Sequence, residues 1–308
     1  MPHITTPGEV QIEYEITGDD HGTPMLLIQG LGAPMHGWRR EFCQTLAAQG
    51  FRVIRFDNRD CGRSQKFPDG HYLLADMAED AIGLLDALNI SRAHIVGQSL
   101  GGMIAQELVL RRPGKAASLC LIYTAPNTGH IRSERDLTAE NAQPRARTRE
   151  EAIEQYLNDE SFCASQAYEF DTAWIRELGG LIWDTCYYPE GIPRQLNAIW
   201  HSPDRTAALS TVTIPTLIIH GDTDRLIDVS ASHALAQALP HATLRIFPGM
   251  GHELPAPLWP EIIQAITANT SNHNPARPAT PGDPPASTAQ DKPAVPPALT
   301  GPAVQNDG

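Results

Sequence analysis

Long apolar stretches are missing from this chain of 308 residues, and no run approaches the ~18 residues that a membrane-crossing helix needs. Basic residues are also scarce. Lys and Arg number 23 against 36 Asp and Glu, a net charge of -13. That balance argues against nucleic acid and against an anionic membrane surface as partners, since both require clustered positive charge. Cysteines are few and odd in number (Cys43, Cys61, Cys120, Cys163, Cys186), with no C-x-x-C among them, which suits reduced thiols rather than a disulfide framework. The opening MPHITTPGEV has no basic segment followed by an apolar core, so no secretory signal is expected. H-E-x-x-H, a Cys/His ligand cluster and a Walker-type glycine loop are all absent, and neither a metal nor an organic cofactor is expected. The default expectation from these absences is a soluble, cytoplasmic protein.

Composition shifts near Ser271. From there to Gly308 nine of 38 residues are proline, Leu299 is the only leucine, and no aromatic residue occurs. Such a segment cannot bury enough apolar surface to offset its ordering entropy, so 271–308 reads as a disordered tail. The folded part is expected to end near Asn269.

Before that tail the apolar segments alternate in type. Val10, Ile12, Tyr14 and Ile16 recur at every second residue, the spacing of a half-buried strand. Short continuous runs follow: MLLIQ from Met25, FRVIRF from Phe51, AHIVG from Ala93, SLCLIYT from Ser118, TLIIHG from Thr216 and TLRIF from Thr243. Helical spacing lies between most of them, most plainly in MAEDAIGLLDALNI from Met77 and SASHALAQALP from Ser230. Strands buried on both faces with helices between them imply an α/β fold with a mostly parallel sheet. Between about Pro126 and Val212 no strand-like run occurs, yet nine of the 19 aromatic residues fall there. The expected organisation is a core in two parts, 1–125 and 213–270, with a helical lid at 126–212 inserted before the last two strands.

Within HIVGQSLGGMIAQ, Gly97-Gln98-Ser99-Leu100-Gly101 forms G-x-S-x-G between a predicted strand and a predicted helix. A glycine-rich turn with a serine N-cap would look similar. The strand–turn–helix context instead fits a nucleophile elbow, in which flanking glycines let the chain turn sharply and lift the Ser99 hydroxyl clear of the sheet. Serine needs a base to take its proton. Of twelve histidines, His252 in FPGMGHELP lies in the loop after the last strand. His220 ends a strand and reads as a packed residue, His36 is a possible pocket residue, and His94 begins the Ser99 strand, at the wrong end. A carboxylate must then hold the imidazole tautomer. IIHGDTDRLIDVS offers Asp222, Asp224 and Asp228. Asp222 suits the turn and Asp228 the cap of the next helix, which leaves Asp224 preferred, in the chain order Ser, Asp, His. Oxyanion donors are expected from the N–H of Leu100 and from the glycine-rich QGLGAPMHGW, with Leu31 the donor and Gly30 allowing close approach.

These motifs, together with RFDNRDCGRS from Arg55, resemble the α/β-hydrolase superfamily of serine esterases from about Val10 to Thr267. RFDNRDCGRS is similar to that superfamily's D-x-R-G-x-G-x-S, with Asp60 in place of the first glycine, and Gln29 stands where many members carry His. Both departures bring the sequence nearer to bacterial carboxylesterases and aclacinomycin methylesterase-like hydrolases. The resemblance implies a triad of Ser99, Asp224 and His252 with donors Leu31 and Leu100, and hydrolysis of an ester through an acyl-enzyme. Serine in place of a nucleophilic aspartate disfavours dehalogenase and epoxide-hydrolase chemistry. Thioesterase, C–C bond hydrolase and perhydrolase activity stay open on this fold, as does a ligand receptor with a vestigial triad. For the substrate pocket the insertion offers Trp183 and Trp200 beside Gln29 and Gly30, and a small to medium apolar or methyl ester is expected. The basic run Arg132, Arg135, Arg145, Arg147 and Arg149 reads as a solvated lid surface, with the binding of an acidic substrate as the alternative.

Overall fold

A computed structural model describes residues 2–132 and 145–271. Its centre is a sheet of eight strands in the order β1-β2-β4-β3-β5-β6-β7-β8. β1 (His3–Thr5) and β2 (Gln11–Thr17) are antiparallel to their neighbours. From β4 (Phe51–Phe56) through β3 (Thr23–Ile28), β5 (Ala93–Gln98), β6 (Ala116–Ile122), β7 (Thr216–Gly221) and β8 (Ala242–Phe247) every pairing is parallel.

The continuous apolar runs become interior strands because helices cover both faces. All six residues of β5 are buried, as are all six of β7. On one face α2 (Leu74–Ala87), α3 (Leu100–Arg111) and α8 (Ser230–Ala238) place Met77, Leu84, Ile104, Leu108 and Leu235 against Leu26, Ile95 and Ile218. On the other, α1 (Arg40–Ala48) and α9 (Trp259–Ser271) pack Phe42, Leu46, Ile262 and Ile266 against Met25, Val96 and Ile219.

Three sequence readings differ in detail. β1 lies outside the expected strands, since three residues are too few to show a period. β8 was expected to be buried on both faces, but Thr243 and Arg245 are exposed, because β8 is the sheet's last strand with one face open. The folded part continues past Asn269: this residue is buried within α9, and its side-chain amide donates to Leu119 O at 3.0 Å. The expected disordered tail, apart from Ser271 at the end of α9, lies outside the described residues, as does Arg135.

Between β6 and β7 the described chain is helical: α4 (Arg149–Cys163), α5 (Thr172–Cys186), α6 (Gly191–His201) and the short α7 (Thr206–Leu209). Thr148 and Asp171 cap α4 and α5 by accepting from Glu151 N and Trp174 N. In the basic run, Arg132, Arg145 and Arg149 pair with Asp228, Glu190 and Asp184. Among the described residues no helix is long and apolar enough to cross a membrane.

Candidate active site

Loops from the carboxyl ends of β3, β5, β6, β7 and β8 converge, as parallel strands dictate. Ser99 joins β5 to α3 with φ +54° and ψ −123°, a left-handed conformation that costs a non-glycine residue about 1–3 kcal/mol. The turn is held because the helix presses onto the strands. A Cβ at Gly97 would overlap Gly101 O, and one at Gly101 would overlap Ile28 O. Ser99 N donates to Ile122 O at 2.9 Å, and Thr124 Oγ1 donates to Ser99 O at 2.7 Å. Although Ser99 stands at the N-cap of α3, its side chain caps nothing there. Its Oγ lies 2.9 Å from His252 Nε2.

His252 Nδ1 is 2.7 Å from Asp224 Oδ2, so Ser99, His252 and Asp224 form one hydrogen-bonded chain across 153 residues of sequence. The other oxygen, Asp224 Oδ1, accepts from Leu226 N at 2.8 Å and Ile227 N at 2.9 Å. Asp222 instead accepts from Gly249 N at 2.6 Å and shapes the turn. Asp228 accepts from Ser230 N at 2.8 Å and pairs with Arg132. The histidine loop is braced by the insertion, since His252 N donates to Cys163 O at 2.9 Å and Gly251 N to Ser165 Oγ at 2.9 Å.

His220 is more than a packed strand residue. It is fully buried, with Nε2 3.2 Å from Asp224 Oδ2 and 3.1 Å from Ile227 O. Facing two acceptors, that nitrogen carries the proton, and Ser232 Oγ serves Nδ1 at 2.6 Å. Burial alone would raise the Asp224 carboxyl. The charge of His252 and hydrogen bonds from both imidazoles outweigh burial and hold it well below the usual carboxylate range. A depressed folded value has a definite sign: the stability this carboxylate contributes is present above about pH 4, where an unfolded aspartate titrates, and is lost as pH falls through the lower folded value. The Tm difference between wild type and Asp224→Asn should therefore be full near neutral pH and shrink steadily below about pH 4. Thermal melts of both proteins across that range check this, and a gap that widens in acid would contradict it.

The two residues expected to supply oxyanion donors, Leu31 and Leu100, line the same cavity as Ser99. Leu100 opens α3, where the first N–H groups lack intrahelical acceptors. Gly30 packs against Ser99, close enough that a Cβ on it would lie 3.4 Å from Ser99 Cβ. On either side of Leu31 the N–H groups are taken: Gly30 N donates to Gln29 Oε1 at 2.6 Å and Gly32 N to Gln195 Oε1 at 2.8 Å. Leu31 N has no acceptor among the described residues. Gln29, where many α/β hydrolases have His, also accepts from Gln98 Nε2, and Gln98 in turn accepts from Tyr123 OH. Tyr123 sits beside the His252 ring, centroids 4.5 Å apart, with a left-handed φ of +34°. The RFDNRDCGRS segment braces this loop too, through Asn58 Nδ2 to Gln29 O at 3.0 Å and Met35 N to Asp57 Oδ1 at 2.7 Å.

A cavity of about 690 Å³ opens over Ser99 and His252. The core contributes Gln29, Gly30, Leu31, Leu100, Met103 and Tyr123, and the insertion contributes Ile175, Leu178, Ile182, Leu196 and Ile199. Arg39, also in the wall, is engaged by Asp171 at 2.7 Å and lies over the Trp174 ring at 4.7 Å. Trp200 lines the cavity and is 45% exposed. Trp183 does not line it, and packs on Tyr187 with ring centroids 5.1 Å apart. His36 is not in the wall, and His94, at the far end of β5, bonds Ser118 Oγ at 2.8 Å. Among the described residues no three His, Cys, Asp or Glu side chains are grouped to hold a metal ion.

The sheet order, the elbow turn and the cavity above it define an α/β-type hydrolase. Residues 25–261 match the model of the alpha/beta hydrolase family, and the chain belongs to that family. A putative carbamate hydrolase RutD of Variovorax paradoxus is 32% identical over 249 residues, 78% of this chain and 89% of that protein. Rhodomycin D methylesterase DnrP of Streptomyces peucetius is 30% identical over 295 residues, 88% of this chain and 98% of that protein. In three dimensions the esterase RhEst1 of Rhodococcus sp. ECU1013 superposes with a TM-score of 0.74 at 22% identity, covering 89% of this chain and 99% of the esterase, a likeness of fold.

Proposed function

We propose that the protein is a serine hydrolase of carboxylic esters, with Ser99 the nucleophile, His252 the general base and acid, Asp224 the residue that orients His252, and the N–H groups of Leu31 and Leu100 the oxyanion donors. The observation that carries this reading is the chain from Ser99 Oγ to His252 Nε2 at 2.9 Å and from His252 Nδ1 to Asp224 Oδ2 at 2.7 Å, set beneath an apolar cavity. Ser99 Oγ adds to the ester carbonyl as His252 takes its proton. The carbonyl oxygen becomes an oxyanion between the two N–H donors, and His252 then protonates the departing alcohol. Water enters and the same steps release the acid.

The cavity wall favours an uncharged acyl or alcohol group of small to medium size, because its one described guanidinium is already committed to Asp171. The methylesterase relative adds weight to a methyl ester. A panel of p-nitrophenyl esters of rising chain length, beside an aromatic methyl ester and an ester carrying a free carboxylate, tests this. The neutral esters should turn over, and the anionic ester should have a kcat/KM about tenfold lower or less, equivalent to about 1.4 kcal/mol. No turnover of any ester, or a preference for the anionic one, would contradict it.

A further inference from the structure

An oxyanion hole works only if its donors are fixed before charge develops, yet the loop proposed to supply one of them contains Gly30 and Gly32, residues that hold a backbone loosely. Gly32 has φ +65°. Something outside the loop must set it. On the core side this is Gln29, locked by Gln98 and through it by Tyr123. On the opposite side it is a residue of the helical insertion. Gln195 on α6 is 1% exposed, and both ends of its amide are spent: Oε1 accepts from Gly32 N at 2.8 Å, and Nε2 donates to Arg59 O at 2.8 Å. A side chain bonded at both ends has one position, so the Gly32 peptide is fixed relative to α6.

The helix is fixed in turn. Neighbouring Arg194 donates Nε and Nη2 to the Asp60 carboxylate at 2.7 and 3.1 Å, and Tyr72 OH donates to the same group at 2.8 Å. Asp60, the residue that replaces the superfamily's glycine, has φ +63° and a fully buried side chain. Ile192, one turn before, closes on Gly32, where a Cβ would come within 2.8 Å of Ile192 Cγ1.

From this geometry we infer that Gln195 is a positioning residue for the oxyanion loop: by accepting from Gly32 N it sets the peptides around Leu31, and it makes the insertion a working part of the catalytic centre rather than a cover alone. The inference rests on the serine-esterase reading above. Its test separates oxyanion stabilisation from substrate binding. A trifluoromethyl ketone shaped like the acyl group of the test ester adds to Ser99 Oγ, passes the serine proton to His252 and leaves a hemiketal oxyanion in the hole. The corresponding methyl ketone occupies the same cavity without adding.

Gln195→Met keeps length and volume and removes both hydrogen bonds. It should lower kcat by about 10- to 100-fold, less than the ~10²–10³ lost when a donor is deleted outright. Affinity for the trifluoromethyl ketone should fall by the same factor, while KM and methyl-ketone inhibition stay within about twofold. A kcat within about threefold of wild type overturns the inference, as does parallel weakening of both ketones and KM, which would mean that Gln195 merely shapes the cavity. Should Gln195→Met not fold, Gln195→Ala, which leaves room for water on both partners, carries the same comparison. Ser99→Ala assayed alongside keeps the two claims apart. Turnover that survives it overturns the serine-esterase reading and the oxyanion role of the loop with it. Turnover lost in Ser99→Ala but intact in Gln195→Met overturns the Gln195 role alone.

Discussion

Ser99→Ala is expected to lower kcat on any ester the protein cleaves by about 10⁴- to 10⁶-fold, with thermal stability nearly unchanged. The activity loss follows from the role: without Oγ no acyl-enzyme forms, and only the oxyanion donors and binding act on the substrate. The stability expectation follows from the turn. The Ser99 side chain caps no backbone N–H of α3, so deleting Oγ costs the helix no hydrogen bond. Backbone strain at φ +54° is carried equally by alanine, and the glycines that permit the turn remain. Steady-state rates on one p-nitrophenyl ester and a thermal melt suffice. A variant keeping more than about a tenth of wild-type kcat would remove Ser99 from the chemistry.

Asp224→Asn is expected to cost about 10⁴ in kcat, and the loop geometry says why. Leu226 N and Ile227 N both donate to Oδ1, so the carboxamide oxygen of the variant belongs there. Its NH₂ must then lie where Oδ2 was, facing His252 Nδ1 and His220 Nε2. A donor facing Nδ1 turns that nitrogen into an acceptor and moves the proton to Nε2, which can no longer take one from Ser99. Asp222→Asn and Asp228→Asn change a turn and a cap. Each should cost about 0.5–2 kcal/mol of stability and leave kcat almost intact. The three variants on one ester form the test: if Asp222→Asn were the inactive one, the acid would be misassigned.

Much of this organisation was legible in the sequence, for physical reasons that differ between elements. Interior strands such as β5 and β7 are buried on both faces and must be continuously apolar, and a serine between glycines at the end of one of them is a local pattern. Asp224 and His252 stood out because loops at the carboxyl ends of parallel strands converge whatever their separation in sequence. What the sequence hid is pairing between distant polar side chains, which leaves no period. Arg194 and Asp60 meet across 134 residues, and Gln195 reaches Gly32 across 163. Asp60 drew notice only as a departure from a glycine pattern; its partner could not be named from spacing. His220 looked like the end of a buried strand, which it is, and nothing local marked its contact with Asp224. Nothing local distinguishes Trp183 from Trp200 in the sequence, and only the packing of the helices that carry them puts Trp200 in the cavity wall and Trp183 against Tyr187.

The most direct test of the central claim is covalent labelling of the intact protein with a fluorophosphonate, read by mass spectrometry. Ser99 Oγ should displace fluoride and give one phosphonyl adduct per chain, on the peptide containing Ser99, at a rate that falls steeply in Asp224→Asn and to nothing in Ser99→Ala. Adduct formation on another residue, or ester turnover that continues undiminished while Ser99 stays unlabelled, would contradict the account.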